Sequence, residues 1–376
     1  MSKLVKAFAP ASVAILGASD NPHKAGGRPI AFLKRYGFAG RIYPVNPARA
    51  QVQGLRAYAA LAALPEVPEL VIVAVGGAAG LAMVEACAAA GVPVVHPIVE
   101  QEGDQLAACI AAARAHGVQV HVWKVCWEVG WQGARDAHEP FEREGRLQVD
   151  RFGRTRRALC PSNPVNRRYE LDAILEAAEY DVDGIHLDYI RYPDASACYC
   201  AGCRRRFSQW LAKPIRAWPD DVRAGAWRGA YTAWRRDQIT TFVRAVRNAA
   251  RAANPALRVS AAVYPLHPDC ADSIGQDWAL WLKEDLVDFV CPMNYESRAG
   301  ALGALVARQL ALPDTAGRLY PGLGVTAMDS QLSADQTIEQ IRRVRAAGAG
   351  GFVLFDLNRT LEHDVLPMLK LGATRP

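Results

Sequence analysis

The sequence predicts an α/β protein built on parallel sheet, and three observations carry that prediction. Ten short apolar runs recur along the 376 residues, at 12–17, 41–45, 70–75, 92–99, 118–125, 183–190, 257–264, 287–293, 318–325 and 350–357. The stretches between them are alanine-rich, as in "AAGLAMVEACAAAG" and "DQLAACIAAARAHG", and close with glycine, the residue that most easily ends a helix. Strand and helix alternate, and a strand–helix–strand repeat covers a parallel sheet with helices. A longer helix is expected over "WRRDQITTFVRAVRNAARAANP". It should stop before Pro255, because proline pushes the residue ahead of it out of helical geometry.

Composition narrows the function. An apolar share of 51% is that of a globular chain with a sizeable core. The net charge is +6, but the arginines are dispersed, and "RRRF" and "RRVR" read as solvated helix faces. Without a basic stripe interleaved with aromatics, no nucleic-acid partner is expected. No apolar run reaches the ~18–20 residues that cross a bilayer, so no membrane partner is expected either. The first apolar run leads straight into a glycine turn, which reads as a strand and not an export signal. Nine cysteines are an odd number in a long chain, which argues against a disulfide framework. A cytoplasmic location is the expectation.

The first hundred residues form one pattern. "ILGASDNPHKAGGRPIAFLKRYG" is a strand, a Gly/Ser turn, a polar loop and a helix. Such a turn can offer backbone N–H groups and a helix N-terminus to a phosphate, although its glycines do not follow the dinucleotide spacing. Together with "YPVNP", Gly54 and the strand end at Val75, residues 10–90 resemble the CoA-binding domain of NDP-forming acyl-CoA synthetases and the succinyl-CoA synthetase α subunit. The resemblance implies a Rossmann-like CoA-binding unit over 1–98. In it Gly17, Ser19, Lys24 and Asn46 would face the nucleotide and pyrophosphate of CoA. Gly76 stands where that family usually has proline, and no counterpart of its phosphohistidine domain is seen in this sequence. Ligase activity is therefore not expected.

Residues 99–376 follow a different pattern. "VQVHVWKVCW", "LCPSNP", "YDVDGIHLDYIRYP", "VDFVCPMNY", "LYPGLGV" and "GGFVLFDL" occur in the order of the glycosyl hydrolase-like 10 family. That resemblance implies a (β/α)8 (TIM) barrel and a glycosidase, a hydrolase acting on O-glycosyl bonds of a carbohydrate, which needs no cofactor. In such a barrel the strand C-termini line the active face, and Asp188 would end the fourth strand. Glycoside hydrolysis uses two carboxylates, one as nucleophile or base and one as general acid. Asp188 is the candidate for the first role. For the second, Glu296 ranks first, then Asp356, then Glu128, because Asn294 stands where relatives carry aspartate.

Aromatic residues cluster at the predicted strand ends: Trp123, Trp127, Trp131, Tyr189, Tyr192, Tyr264 and Tyr295. A ring can stack on the apolar face of a sugar at low entropic cost. Trp210, Trp218, Trp227 and Trp234 fall in a helical stretch and read as packing residues. His186 shares a strand face with Asp188, either bonding a sugar hydroxyl or sitting as a satisfied core residue. Arg191 either holds an anionic substituent or pairs with Asp188 or Asp194. "CYCAGC" places Cys198, Cys200 and Cys203 close enough to ligate one structural Zn²⁺, with a fourth ligand, Cys160 or a histidine, to come from elsewhere.

The strand count leaves the barrel incomplete. Eight strands are needed, and the hydrolase-like segment supplies six. Either the runs at 70–75 and 92–99 are shared with the barrel and close it, or all four N-terminal strands form the CoA-type unit and the barrel stays open. From this fusion a second function follows, a CoA- or nucleotide-binding module whose barrel is a non-catalytic scaffold.

Overall fold

The computed structural model describes residues 10–22, 24–97, 104–129 and 138–373. The chain divides into two compact units, Met1–Ala108 and Cys109–Pro376.

The N-terminal unit contains β1 (Ser12–Leu16), α1 (Arg28–Arg35), β2 (Arg41–Val45), the strands β3 (Gln51–Val52) and β4 (Leu55–Arg56), β5 (Leu70–Val73), α2 (Gly77–Ala89) and β6 (Val94–Pro97). Four strands make a parallel sheet in the order β2-β1-β5-β6, and β3 pairs antiparallel with β4. All five residues of β1 are buried, as expected of a central parallel strand covered on both faces. One face carries Ala14, Leu16, Val71 and Val73 with Cys87 of α2, and the other Val13 and Ile15 with Ile30 of α1. This is a Rossmann-like arrangement. The predicted runs at 70–75 and 92–99 join this sheet through β5 and β6, with Leu70 opposite both Val13 and Val94. Residues 98 and 99 lie outside the described residues.

In the C-terminal unit, β7 (His121–Val125) is followed by β8 (Leu147–Val149), β9 (Thr155–Leu159), β10 (Gly184–Asp188), β11 (Arg258–Val263), β12 (Phe289–Pro292), β13 (Gly322–Gly324) and β14 (Val353–Phe355). Six of these are parallel neighbours. They run β7-β10-β11-β12, then through a bridge between Val290 and Leu319 to the β13-β14 pair. This is the sheet of a TIM-type barrel, and its first strand here is β7. Among the described residues this sheet has six strands, and no ladder joins β14 back to β7.

The covering helices include α3 (Pro164–Ala178), α4 (Ala201–Leu211), α5 (Arg228–Ala253), α6 (Ala299–Leu310) and α7 (Ala334–Ala346). The 26-residue α5 ends two residues before Pro255 and buries Tyr231, Trp234, Ile239, Phe242, Val246 and Ala250 along one stripe. Its buried Arg247 holds Asp288 through two hydrogen bonds of 2.6 and 2.9 Å, and Asp288 also accepts the Val259 N–H at 2.7 Å. That fork fixes the helix to the entry of β11 and β12. Paired strands and their helices thus hold the C-terminal strand ends in register around one opening.

Candidate functional site

Side-chain parity decides what faces the barrel interior. Successive residues of a strand point to opposite faces. On β7, Lys124 points outward to Glu170 of α3, so Trp123 points inward. On β10, Ile185 and Leu187 are fully buried toward the helices, leaving His186 and Asp188 on the inner face. Tyr295, beyond β12, and Phe355 of β14 complete the ring. Trp123, His186, Asp188, Tyr295, Phe355 and Asp356 line a cavity of about 340 Å³, within the range of small-ligand sites. A larger concavity of about 860 Å³ lies elsewhere in this unit, lined by Arg151, Arg223, Arg228, Arg235 and Arg236 with Asp269 and Asp272, and includes none of the strand-end residues.

The smaller cavity is open beside β7 and β14. Trp123 is 53% exposed and Phe355 38% exposed although both point inward. They belong to β7 and β14, the end strands of the barrel sheet among the described residues. Tyr295 stacks on Phe355 with centroids 5.3 Å apart.

Asp188 is 8% exposed. Its carboxylate accepts the Trp123 indole N–H at 3.1 Å and the Tyr189 backbone N–H at 2.7 Å. Burial pushes the Asp188 carboxyl above the usual aspartate value, and the Tyr189 N–H, the Trp123 indole and the Arg191 charge pull it part of the way back. Burial likewise lowers His186 to about 4, so the ring is neutral at pH 7, and its Nδ1 shares a hydrogen bond of 2.8 Å with Ser260. Asp356 is exposed on the opposite rim, and its carboxylate accepts from the Thr326 hydroxyl and, at 2.9 Å, from the Asn358 amide.

Several expectations need correction. Glu296 and Glu128 do not line the cavity. Glu128 is partly buried near Arg191, and burial raises its pKa. Asn294 lies one residue out of phase with Met293 and Tyr295. It is buried and makes reciprocal amide bonds of 2.8 and 2.9 Å with Gln309 of α6. It is therefore a packing residue and not a failed acid. Trp127 is 1% exposed and packs on Phe242 with centroids 4.6 Å apart, so it offers no sugar platform. Tyr192 is fully buried beneath the Arg235 guanidinium, 4.3 Å from its ring, and offers none either. Trp131 lies outside the described residues.

Arg191 makes no ion pair with Asp188, and Asp194 pairs instead with Arg156 at 2.6 Å. The Arg191 guanidinium lies 4.8 Å from the centroids of both Tyr189 and Tyr264. It donates to the carbonyls of Tyr192 and Pro193. Cation–π contact and carbonyl bonds hold it at the strand ends. Ser260, Phe355 and Thr326 had escaped notice. The alternation along β11, which places Ser260 beside His186 in register, was the available signal for the first.

In the N-terminal unit the Gly17 turn closes on itself. Gly17 (φ +82°) and Ala18 both donate to the Val45 carbonyl at 3.1 Å, and Ser19 donates to Gly26 at 3.2 Å. A Cβ at Gly26 would sit 1.9 Å from the Gly17 carbonyl oxygen. The N–H groups of Gly17, Ala18 and Ser19 are thus satisfied within the protein. The Asn46 amide donates to the Ala18 carbonyl at 2.8 Å, and its oxygen accepts from Ala48 at 2.9 Å. The Ser19 hydroxyl accepts from the Asn21 N–H at 3.2 Å. Lys24 is exposed, with no ammonium partner among the described residues.

The sulfurs of Cys160, Cys198, Cys200 and Cys203 lie within 4.8 Å of one another, all buried. No helix among the described residues is long and apolar enough to cross a membrane.

A TIM-type barrel sheet with a carboxylate at a strand end and a Rossmann-like unit in the same chain place the molecule among glycoside-hydrolase-like proteins carrying a CoA-binding-type domain. The family comparison makes this specific. The glycosyl hydrolase-like 10 model matches residues 93–337, and the chain belongs to that family. The CoA binding domain model matches residues 11–129. The two matches overlap over residues 93–129, which hold β6, paired with β5, as well as β7, paired with β10. Among solved structures, the PgaB (BpsB) glycoside hydrolase domain from Bordetella bronchiseptica matches with TM-score 0.56 at 15% identity, covering 81% of this chain and 88% of that one. A β-galactosidase from the psychrophilic Marinomonas ef1 matches with TM-score 0.52 at 12% identity, covering 69% of this chain and 48% of that one. At such identities these likenesses speak for the fold alone. Acetate–CoA ligase (ADP-forming) II of Archaeoglobus fulgidus is 31% identical over 120 residues, which is 30% of this chain and 18% of the ligase. The chain thus spans under a fifth of that relative's length.

Proposed function

We propose that the C-terminal unit hydrolyses a glycosidic bond in a poly- or oligosaccharide, with Asp188 as nucleophile or base and Asp356 as general acid. The carrying observation is that Asp188 and Asp356 line one cavity flanked by the exposed rings of Trp123 and Phe355. Asp356 displaces Glu296 from first rank because Glu296 does not reach that cavity. The hydrogen-bonding pattern favours Asp188 as the base. Among the described residues two donors and no acceptor reach its carboxylate, and donors stabilise the ionised form. In the reaction Asp188 either adds to the anomeric carbon or takes a proton from the attacking water, while Asp356 gives its proton to the departing glycosidic oxygen. Trp123 then both aligns Asp188 and offers a stacking face to the sugar.

The pH profile of kcat/KM tests the assignment. The acid limb should lie above the ordinary aspartate value, because burial raises Asp188. Trp123→Phe keeps a ring, removes the indole donor and should move that limb to higher pH. Movement of the alkaline limb instead would make Asp188 the acid.

A second reading concerns the N-terminal unit, favoured by the CoA binding domain match and by the exposed ammonium of Lys24, which has no partner among the described residues. We propose that this unit binds CoA, with Lys24 reaching a phosphate. A ligand at 100 times its dissociation constant adds about 2.7 kcal/mol of stability. Millimolar CoA should therefore raise the Tm of the first unfolding transition, and Lys24→Ala should reduce the rise. An unchanged Tm at millimolar CoA would count against binding.

A further inference from the structure

We propose that Cys160, Cys198, Cys200 and Cys203 bind one structural Zn²⁺, which clamps the turn after β9 to the loop after β10. The inference is independent of the glycosidase reading, because none of the four lines the Asp188 cavity.

The geometry argues for a single ion. A tetrahedral zinc thiolate site has Zn–S bonds of about 2.3 Å, which sets its sulfurs about 3.8 Å apart. Here Cys160 Sγ lies 3.5 Å from Cys203 Sγ and 3.8 Å from Cys200 Sγ, and no pair among the four exceeds 4.8 Å. Disulfides would need sulfurs at about 2.05 Å, and a multi-iron cluster would need them spread more widely. All four ligands are sulfur, the set that suits zinc.

The surroundings suit thiolates. The Val149 N–H donates to Cys198 Sγ at 3.4 Å, and the Cys203 N–H donates to Cys200 Sγ at 3.4 Å. The Ser162 hydroxyl lies 3.2 Å from Cys160 Sγ and 3.3 Å from Cys203 Sγ. Arg206 reaches Cys160 Sγ at 3.8 Å and Ser162 Oγ at 2.9 Å. Zinc with four thiolates carries a net charge of −2, and one guanidinium beside it offsets half. Such partners around the ligands orient them and tune the metal.

The position gives the ion its task. Cys160 directly follows β9, Cys198 lies near the end of the loop that begins at Tyr189, and Cys200 and Cys203 lie at the N-cap and in the first turn of α4. Between Asp188 and α4 the chain contains no regular strand or helix. A metal at its far end fixes this segment, and with it Tyr189 and Arg191, where Asp188 needs a stable frame.

Zinc analysis of the full chain, purified under reducing conditions without added metal, tests the proposal. One equivalent of zinc per chain is expected, with an X-ray absorption spectrum showing four sulfurs at about 2.3 Å. Cys160→Ser and Cys203→Ser should lose most of the zinc, while Cys291→Ser, a buried cysteine outside the cluster, should keep it. Stripping the metal from the wild type with a chelator should lower Tm by about 10 °C or more. A chain that holds no zinc and takes up none under reducing conditions would overturn the site, as would iron in its place or equal zinc loss in Cys291→Ser. If the cluster variants do not fold, the wild-type spectrum decides, and nitrogen or oxygen ligands would overturn the assignment.

Discussion

Asp188→Asn should lower glycan cleavage by about 10³-fold or more, the scale on which a positioned acid, base or nucleophile contributes. The substitution preserves shape and volume and removes the charge. KM should change little, because Trp123, Tyr295 and Phe355 still face the cavity. Asp356→Asn should also reduce the rate, and less so for substrates whose leaving group needs no protonation. Stability should respond in a characteristic way. Because the folded carboxyl is raised, the native state holds a proton that the unfolded chain has already released. Stability therefore falls as pH rises from the unfolded aspartate value through the folded one. Asp188→Asn should abolish that decline, which urea unfolding across the window will show. A variant that cleaves glycan at the wild-type rate would remove Asp188 from the chemistry.

The second large effect is expected at Glu170. This carboxylate of α3 is buried, accepts from the Lys124 ammonium and takes the Trp127 backbone N–H at 3.0 Å. Lys124 also donates to the Val125 carbonyl at 2.6 Å. The group thus anchors the C-terminal end of β7, one residue from Trp123. Glu170→Ala strands a partly buried ammonium and an N–H donor, which should cost about 3–5 kcal/mol. For a unit of this size the loss amounts to roughly 10 °C in Tm, readable by thermal melts. Replacing both partners, as in Lys124→Met with Glu170→Leu, should recover much of it, because an apolar pair leaves no uncompensated charge. A change under about 1 kcal/mol in the single variant would mean the pair behaves as a surface salt bridge.

How far the sequence could be read depended on which physical signal each feature rests on. The strands were legible because each is an apolar run between breakers, and every one of the ten runs contains a strand or part of one. The β8–β9 hairpin was not, since "RLQVDRFGRTRRAL" is arginine-rich. It forms because the Asp150 side chain collects the Phe152 and Arg154 N–H groups into a turn. Asp188 was legible as a carboxylate ending an apolar strand. Its partner was not, because Glu296 and Asp356 both follow strands and only the folded chain shows which one reaches the cavity. Asn294 was a case where parity held the answer, since Met293 and Tyr295 occupy the inward phase. Trp127 and Tyr192 misled for a simple reason. An aromatic at a strand end serves a core as well as a sugar, and here Phe242 and Arg235 of α5 cover them. The strand shortage was visible in the count. That the runs at 70–75 and 92–99 pair within the N-terminal sheet was not, because an apolar run suits either parallel sheet.

The most direct test of the central claim is product analysis in heavy-oxygen water, with purified chain and a panel of poly- and oligosaccharides. The account predicts new reducing ends, each carrying one heavy oxygen, formed by the wild type and nearly absent with Asp188→Asn. No new reducing ends from the wild type on any glycan, or equal yields from the two proteins, would contradict it.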